Sequence, residues 1–579
     1  MKKVREAIEL SRHAMKDMDV WLRYLEPQAY RKINGPLPVE WETEVFEKFE
    51  KPYKREGAGL ALALLYLEEP KIDKDSLTHL IDAALAATRV FAQDSITREL
   101  NSYHHFYLCN RLMLLNLAAI YTTGFECPDP DQVIPELRTL LATNTITYQK
   151  FNNSFPATPL TTDYLALYGD MVAFVAGQPD DHTRFDHFTF VQRYVNPLFI
   201  INQQLIAKYK VVSHSLVDYS LNKNATSIFD KNLYNGQNTK GIFIRVKDDS
   251  AMALIERTGK LLFNDPILSG NNMRSCASCH KPEQYFTDTS FATALQYNNI
   301  DRLTRNSPTL LNADYNHLVM LDGKHSTLQD QTKAVIGNPQ EMGCNEQEVL
   351  KKVLSCKDYK KTFRQLLAYT PQEKEITYDH IVSCITVYYS KLSKYYSPFD
   401  EAMNNKAELP AAAKQGYNLF MGKAQCATCH FAPQFNGVKP PYIGSEFEVI
   451  GVPSSTQFTA LSSDEGRYIV NPASETKNAF RTGTVRNSKH TAPYMHNGVF
   501  RTMAEVIDFY DGGGGNGHSL KIDNQTLSAD SLHLTPQEKI NLEAFIESLN
   551  ENIPTEEAPK TLPHSRINAL NTRKPGGTY

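Results

Sequence analysis

Two pentapeptides carry the densest chemistry in this chain: Cys276-Ala277-Ser278-Cys279-His280 and Cys426-Ala427-Thr428-Cys429-His430. Thiols at this spacing can add to the two vinyl groups of one porphyrin as thioethers. The histidine that follows each pair is placed to ligate the iron from one side. Each pentapeptide is therefore an attachment site for c-type haem. A zinc site would need four ligands gathered in space and would not require a histidine directly after both pairs. With this Cys and His content, one such pentapeptide arises by chance in roughly one chain in a few hundred. Two of them imply two covalently bound haems.

The elements around the motifs have to hold them. A chain of 579 residues is too long for one core, and at about 150 residues per domain it divides into roughly three or four units. Composition is that of an ordinary globular protein. The formal charge of −4 points to neither nucleic acid nor an anionic membrane. No run of about 18 apolar residues exists, so no membrane span is expected. The start, Met1-Lys2-Lys3-Val4-Arg5-Glu6, is basic but has no apolar region behind it, unlike a signal peptide. Covalent haem attachment takes place outside the cytoplasmic membrane in bacteria. The expectation is a periplasmic protein whose export signal, plain or of the anchoring lipoprotein type, is absent from this chain.

The predicted architecture is mainly α, with two cytochrome c-like haem domains behind a helical N-terminal domain. Residues 1–240 hold no haem motif and read as helices: Asp73-Lys74-Asp75-Ser76 is a capping signal ahead of an amphipathic run over 77–91, and 107–121 is apolar enough to be buried. His104 and His105 are adjacent and face different sides of a helix, which suits a core or surface role better than a metal site. Residues 205–250 are polar, Asn-rich around 222–240, and read as a linker or an irregular connection. A first haem domain follows over 251–400 and a second over 405–550, joined by a polar hinge near 403–410. Each shows a helix (254–263; 411–421), then the Cys-x-x-Cys-His motif, then a long irregular stretch. The glycine run 512–515 reads as a loop. Residues 551–579 are expected to form a surface tail without regular structure. Of nine cysteines, four go to haem. Cys344 and Cys356 flank a predicted helix that would hold them beyond disulfide reach, and Cys109 reads as a buried thiol.

From about 250 to 550 the chain resembles the bacterial dihaem cytochrome c peroxidases and their MauG-type relatives. The matching stretches are Gly259 to Pro266, the first haem motif, Arg305 to Asn312, Leu321 to Lys324, and Asn338-Pro339-Gln340-Glu341-Met342. They continue with the second haem motif, Arg486-Asn487, and Thr491 to Gly498, in the family's order and spacing. The N-terminal stretch is weakly reminiscent of imelysin-like domains. The resemblance implies that His280 is the proximal ligand of a peroxidatic haem and His430 that of an electron-transfer haem. Glu341 matches the family's distal glutamate, which moves a proton between the two peroxide oxygens during O–O cleavage. Gln331 is a candidate for a polar position of the same pocket. A calcium ion between the haems would be held at Asn306, Thr491 and Pro493, largely through carbonyls. Arg481 and Arg486 are candidates to pair with haem propionates.

The chain departs from the family in three places. Most relatives carry a histidine in the loop before Arg-Asn-Ser-Pro that caps the peroxidatic iron until reduction, but residues 294–304 contain none. The tryptophan expected between the haems is replaced by Leu321, and the only tryptophans, Trp21 and Trp41, lie in the N-terminal unit. The second haem's far ligand, methionine in most of these peroxidases, aligns with Tyr510, as in MauG-type enzymes. A phenolate favours ferric iron, whereas methionine raises the potential. Met503, Met495 and His490 are the alternatives.

The leading expectation is a dihaem peroxidase that reduces hydrogen peroxide to water. Its electrons would come from a small donor, a cytochrome, a cupredoxin or a quinol, relayed through the second haem. One alternative is a MauG-type oxidase acting on a protein or organic substrate through a high-valent iron state. The other is a plain electron-transfer protein, against which Glu341 argues, because a relay needs no acid–base group. No nucleic-acid partner is expected, and a homodimer is a further option.

Overall fold

The computed structural model describes residues 2–35, 41–44, 58–212 and 221–578. The fold is mainly helical, as the pattern predicts. Helix starts follow local chemistry: the Asp73 carboxylate accepts from Asp75 N–H at 3.1 Å ahead of Lys74–Thr88, and Asp248 accepts from Ala251 N–H at 2.7 Å ahead of Asp249–Phe263. The helix Ala411–Met421 has the bounds the sequence implies, whereas the apolar N-terminal helix runs Tyr103–Ala119.

The two haem units repeat one packing device. In the first, Asp249–Phe263 crosses Tyr378–Ser390 at Gly259, where a Cβ would lie 1.9 Å from the Cys384 carbonyl oxygen. In the second, Ala411–Met421 crosses Pro536–Ser548 at Gly416, where a Cβ would lie 1.9 Å from the Asn541 carbonyl oxygen. Each glycine lets the helix preceding its Cys-x-x-Cys-His turn press against a later helix of the same unit. Cys344 and Cys356, on either side of Glu346–Ser355, are both buried free thiols, as is Cys109.

The first haem unit has its own core, built around Ile255, Phe263, Phe363, Ile381 and Tyr388. The second does not. Phe399, Tyr417, Phe420, Phe435 and Phe545 belong to one continuous core with Phe106, Leu114, Tyr148, Phe190 and Phe199 of the N-terminal helices. The contact is polar as well as apolar: Phe188 N–H donates to Asn418 Oδ1 at 2.7 Å, and Asn196 Nδ2 donates to the Met403 carbonyl at 2.8 Å. A small antiparallel sheet crosses the same boundary. Strand β1 (Trp41–Glu44) pairs with β2 (Gly444–Glu448) in the register Trp41↔Phe447, and β2 pairs with β3 (Phe480–Arg481).

Three segments depart from expectation. The Asn-rich stretch before the first haem unit lacks regular structure but is no loose linker, because Ile228, Phe229, Leu233 and Tyr234 are buried in the shared core. The glycine run does end Met503–Asp511, with Gly513 at φ 83°, but the chain then makes one further helical turn, Gly514–Gly517. The tail is docked rather than loose on the surface. Leu570 enters the first haem unit's core, a 3-10 helix forms over Asn568–Thr572, and the Arg573 guanidinium pairs with both oxygens of buried Asp265 at 2.6 and 3.1 Å. Sparse apolar residues hid this docking, to which Glu556 adds ion pairs with Lys260 and Lys391.

Candidate functional site

The first motif lies in a capped turn. Ser275 and Ser278 form a reciprocal capping box around the short helix Cys276–Cys279. His280 Nδ1 lies 3.2 Å from the Phe286 carbonyl. A carbonyl only accepts, so Nδ1 carries the proton and Nε2 is left as the ligating nitrogen. Burial lowers the His280 pKa, which favours the neutral ring a metal requires.

Cys276, Cys279 and His280 line a cavity of about 860 Å³ together with Gln331 and Glu341. That volume is in the range of cofactor sites, about 300–1,000 Å³. Gln331 projects from the helix Leu328–Gly337, capped by Thr327. Glu341 sits in the turn that ends it. Asn338 Nδ2 donates to Glu341 Oε2 at 2.7 Å, and Glu341 N–H donates to the Asn338 carbonyl at 3.0 Å. Burial raises the Glu341 pKa above the ordinary carboxylate value, against the opposing pull of Asn338 and Arg274. A carboxyl so tuned and held can give and take a proton inside the cavity.

Arg481 also lines this cavity. Its guanidinium donates to Asn316 Oδ1 at 2.5 Å and to the Met320 carbonyl at 3.3 Å, and burial pushes its pKa down to about 10. A half-buried cation held by neutral acceptors suits a haem propionate. Arg486 does not play the expected part. It is buried away from the cavity lining and grips Asp400 through two bonds of 2.6 and 2.8 Å, while Nε donates to the Pro433 carbonyl at 3.0 Å. Its fork is filled by protein partners, so a propionate has no place on it.

The loop 294–304 forms a tight hairpin whose end, Leu303 and Thr304, lines the cavity. Sequence reasoning passed over the residue that holds it, Arg274. This buried guanidinium donates to the carbonyls of Leu295, at 2.7 Å, and Gln296, and to Asn299 Oδ1 at 2.6 Å. Tyr297 N–H adds a bond of 2.7 Å to the Gln340 carbonyl, beside Glu341. An arginine just ahead of the haem cysteines was the available signal.

At the second motif, His430 Nδ1 lies 3.2 Å from the Phe435 carbonyl and 3.0 Å from that of Gly483, which again leaves Nε2 for a metal. Tyr510 stands near the end of Met503–Asp511, and burial, with Cys429, Cys426 and Glu448 as neighbours, raises its pKa. Of the alternatives, His490 stacks on Tyr285 at 4.2 Å, and Met503 packs against the shared core, as does Cys426 of the second motif. Leu321, in place of the tryptophan, accepts at its carbonyl from Arg481 N–H at 2.8 Å. Trp21 lies 5.9 Å from Phe106 in the N-terminal core. His105 packs against Tyr24 at 5.8 Å, and His104 Nδ1 accepts from Val212 N–H at 3.1 Å. Asn306 N–H donates to the His496 carbonyl at 2.6 Å, which brings Asn306 beside the segment holding Thr491 and Pro493.

Residues 255–408 match the model of the di-haem cytochrome c peroxidase family. The cytochrome-c peroxidase IdrP1 of a Pseudomonas species is 32% identical over 342 residues, covering 55% of this chain and 86% of the relative. The methylamine utilization protein MauG of Methylorubrum extorquens is 30% identical over 308 residues, covering 53% of this chain and 79% of the relative. The cytochrome c551 peroxidase of Nitrosomonas europaea is 32% identical over 256 residues, 43% of this chain and 70% of that one. Among solved structures, a MauG-like protein associated with microbial copper homeostasis aligns with a TM-score of 0.45 at 25% identity, covering 52% of this chain and 90% of that one. With its paired haem motifs and this degree of identity, the chain belongs to the di-haem cytochrome c peroxidase and MauG family of oxidoreductases.

Proposed function

We propose that the protein is a periplasmic dihaem peroxidase that reduces hydrogen peroxide to water, taking electrons one at a time from a small cytochrome, cupredoxin or quinol. The observation that carries this reading is the shared cavity: Glu341 and Gln331 line the same space as Cys276, Cys279 and His280. When bound, the haem supplies the iron that takes up peroxide and the electrons that cleave it. The chain supplies the rest. Cys276 and Cys279 tether the group, and His280 ligates it through Nε2 while Phe286 fixes the ring. Arg481 neutralises a propionate. Glu341, in its carboxylate form, accepts a proton from the near oxygen of peroxide and returns it to the far oxygen, which leaves as water. Asn338 aims the carboxyl, and the hairpin tied by Arg274 bounds the space.

His430 and Tyr510 are read as the two ligands of the second, electron-transfer haem. A calcium ion held through oxygens of Asn306, Thr491 and Pro493 belongs to the same reading, supported by the Asn306–His496 contact. The nearness of Tyr510 to the second motif favours one further reading, a MauG-type oxidase acting on a protein or organic substrate. Steady-state consumption of peroxide with a reduced cytochrome tests the proposal. Rapid turnover with two covalent haems per chain is the expected result. Peroxide binding without donor oxidation would turn the reading toward the oxidase.

A further inference from the structure

The two Cys-x-x-Cys-His turns share a sequence pattern but are covered differently. At the first, Ser275 and Ser278 both donate to the Gly576 carbonyl, at 2.8 and 3.1 Å. Gly576 N–H donates to the Asn264 carbonyl and Thr578 N–H to the Met273 carbonyl, each at 2.8 Å. Beneath this strap Ser275 and Ser278 keep only 3% and 7% of their surface, whereas the alanine between the cysteines is buried at both motifs. At the second motif Thr428, the counterpart of Ser278, turns back to its own Gln425 carbonyl at 2.7 Å, and Gln425 is exposed.

The seat of the strap is specific. Gly577 has φ 71°, and a Cβ there would lie 2.6 Å from Ser278 Oγ and 2.7 Å from the Met273 carbonyl oxygen, so no other residue fits without displacement. The strap is also separately anchored. Arg573 on Asp265 and Leu570 in the core hold the preceding residues, so residues 575–579 can be removed without loosening the domain.

Thioethers tie one edge of a c-type haem to its Cys-x-x-Cys-His turn, so whatever covers the turn covers that edge. We propose that residues 575–578 are an insulating strap. They close the first haem to direct outer-sphere reduction, so that external donors deliver electrons only through the second motif, which has no such strap over Gln425 and Thr428. This rests on the two-haem reading above and adds to it a device for directing electron entry.

The test uses the intact holoprotein, hexaammineruthenium(II) as a one-electron donor (oxidised to ruthenium(III) as ferric haem becomes ferrous), and stopped-flow spectra that resolve the two haems. In the wild type, the rate of reduction of the first haem should level off with donor concentration, because transfer from the second haem limits it. Removal of residues 575–579, and separately Gly577→Val, should turn that dependence linear. Both should speed amide exchange over residues 275–280. A linear dependence in the wild type, saturation at the wild-type rate in both variants, or unchanged exchange would each overturn the strap. A pyridine haemochrome count of one haem per chain would instead overturn the reading on which it rests.

Discussion

Glu341 owes its chemistry to a turn of four residues. Asn338 holds the carboxyl by one bond, and burial holds its pKa above the ordinary range. Since the ionised form accepts the first proton, peroxide turnover should rise with pH as this carboxyl ionises, with an acid limb displaced upward from that of a free glutamate. Glu341→Gln keeps size and removes the titration, so the limb should vanish and turnover fall by about 10² or more while both haems stay bound. A pH–rate series on both proteins, with haem counts, checks this. At the second motif, Tyr510→Met should raise the haem potential, because a thioether favours ferrous iron more than a phenolate does. A spectroelectrochemical titration reads the shift. An unchanged potential and spectrum would leave Tyr510 a packing residue. The two haem-attachment motifs were legible because their spacing is their chemistry. Arg486 was misread for the opposite reason. Nothing local announces that Asp400 and Glu551, 86 and 65 residues away, would fill its fork.

The hairpin 294–304 shows what an element adds. Its sequence lacks a histidine, which says only that the familiar cap is missing. The structure adds that Arg274 and Gln340 fix the loop by four hydrogen bonds to its backbone and to Asn299. A loop so tied has no need of a reduction-driven rearrangement to open the first haem. The oxidised protein should therefore react with peroxide without prior reduction and show a high-spin ferric signal in its electron paramagnetic resonance spectrum. A wholly low-spin spectrum, with activity only after half-reduction, would show that another side chain takes the histidine's place. Helices with apolar periodicity, such as the one read over 254–263, which starts earlier at Asp249, and Ala411–Met421, were readable because their determinants lie within a few residues. The buried 222–240 stretch and the docked tail were not. Their partners are distant in sequence, and polar residues can be buried once those partners satisfy them.

The whole molecule is joined where five stretches of chain meet. Lys231 of the N-terminal unit, Asn312 of the first haem unit, Asp400 at the boundary between the haem units, Arg486 of the second, and Glu551 at the start of the tail form one buried polar cluster. Burial alone would raise the Asp400 carboxyl, but the charge and hydrogen bonds of Arg486 bring it below its ordinary value. A depressed carboxyl contributes stability that is present above its unfolded pKa and lost as pH falls through the folded one, so the cluster should weaken only in acid. Asp400→Ala leaves the Arg486 guanidinium buried without its bidentate partner, which costs about 3–5 kcal/mol. Because the second haem unit and the N-terminal helices share one core, that loss should not stay local. Thermal unfolding followed at the Soret band and by far-ultraviolet circular dichroism should show both signals moving down together. A shift confined to the haem signal, with the N-terminal helices melting as before, would show that the two units are energetically separate despite their common core.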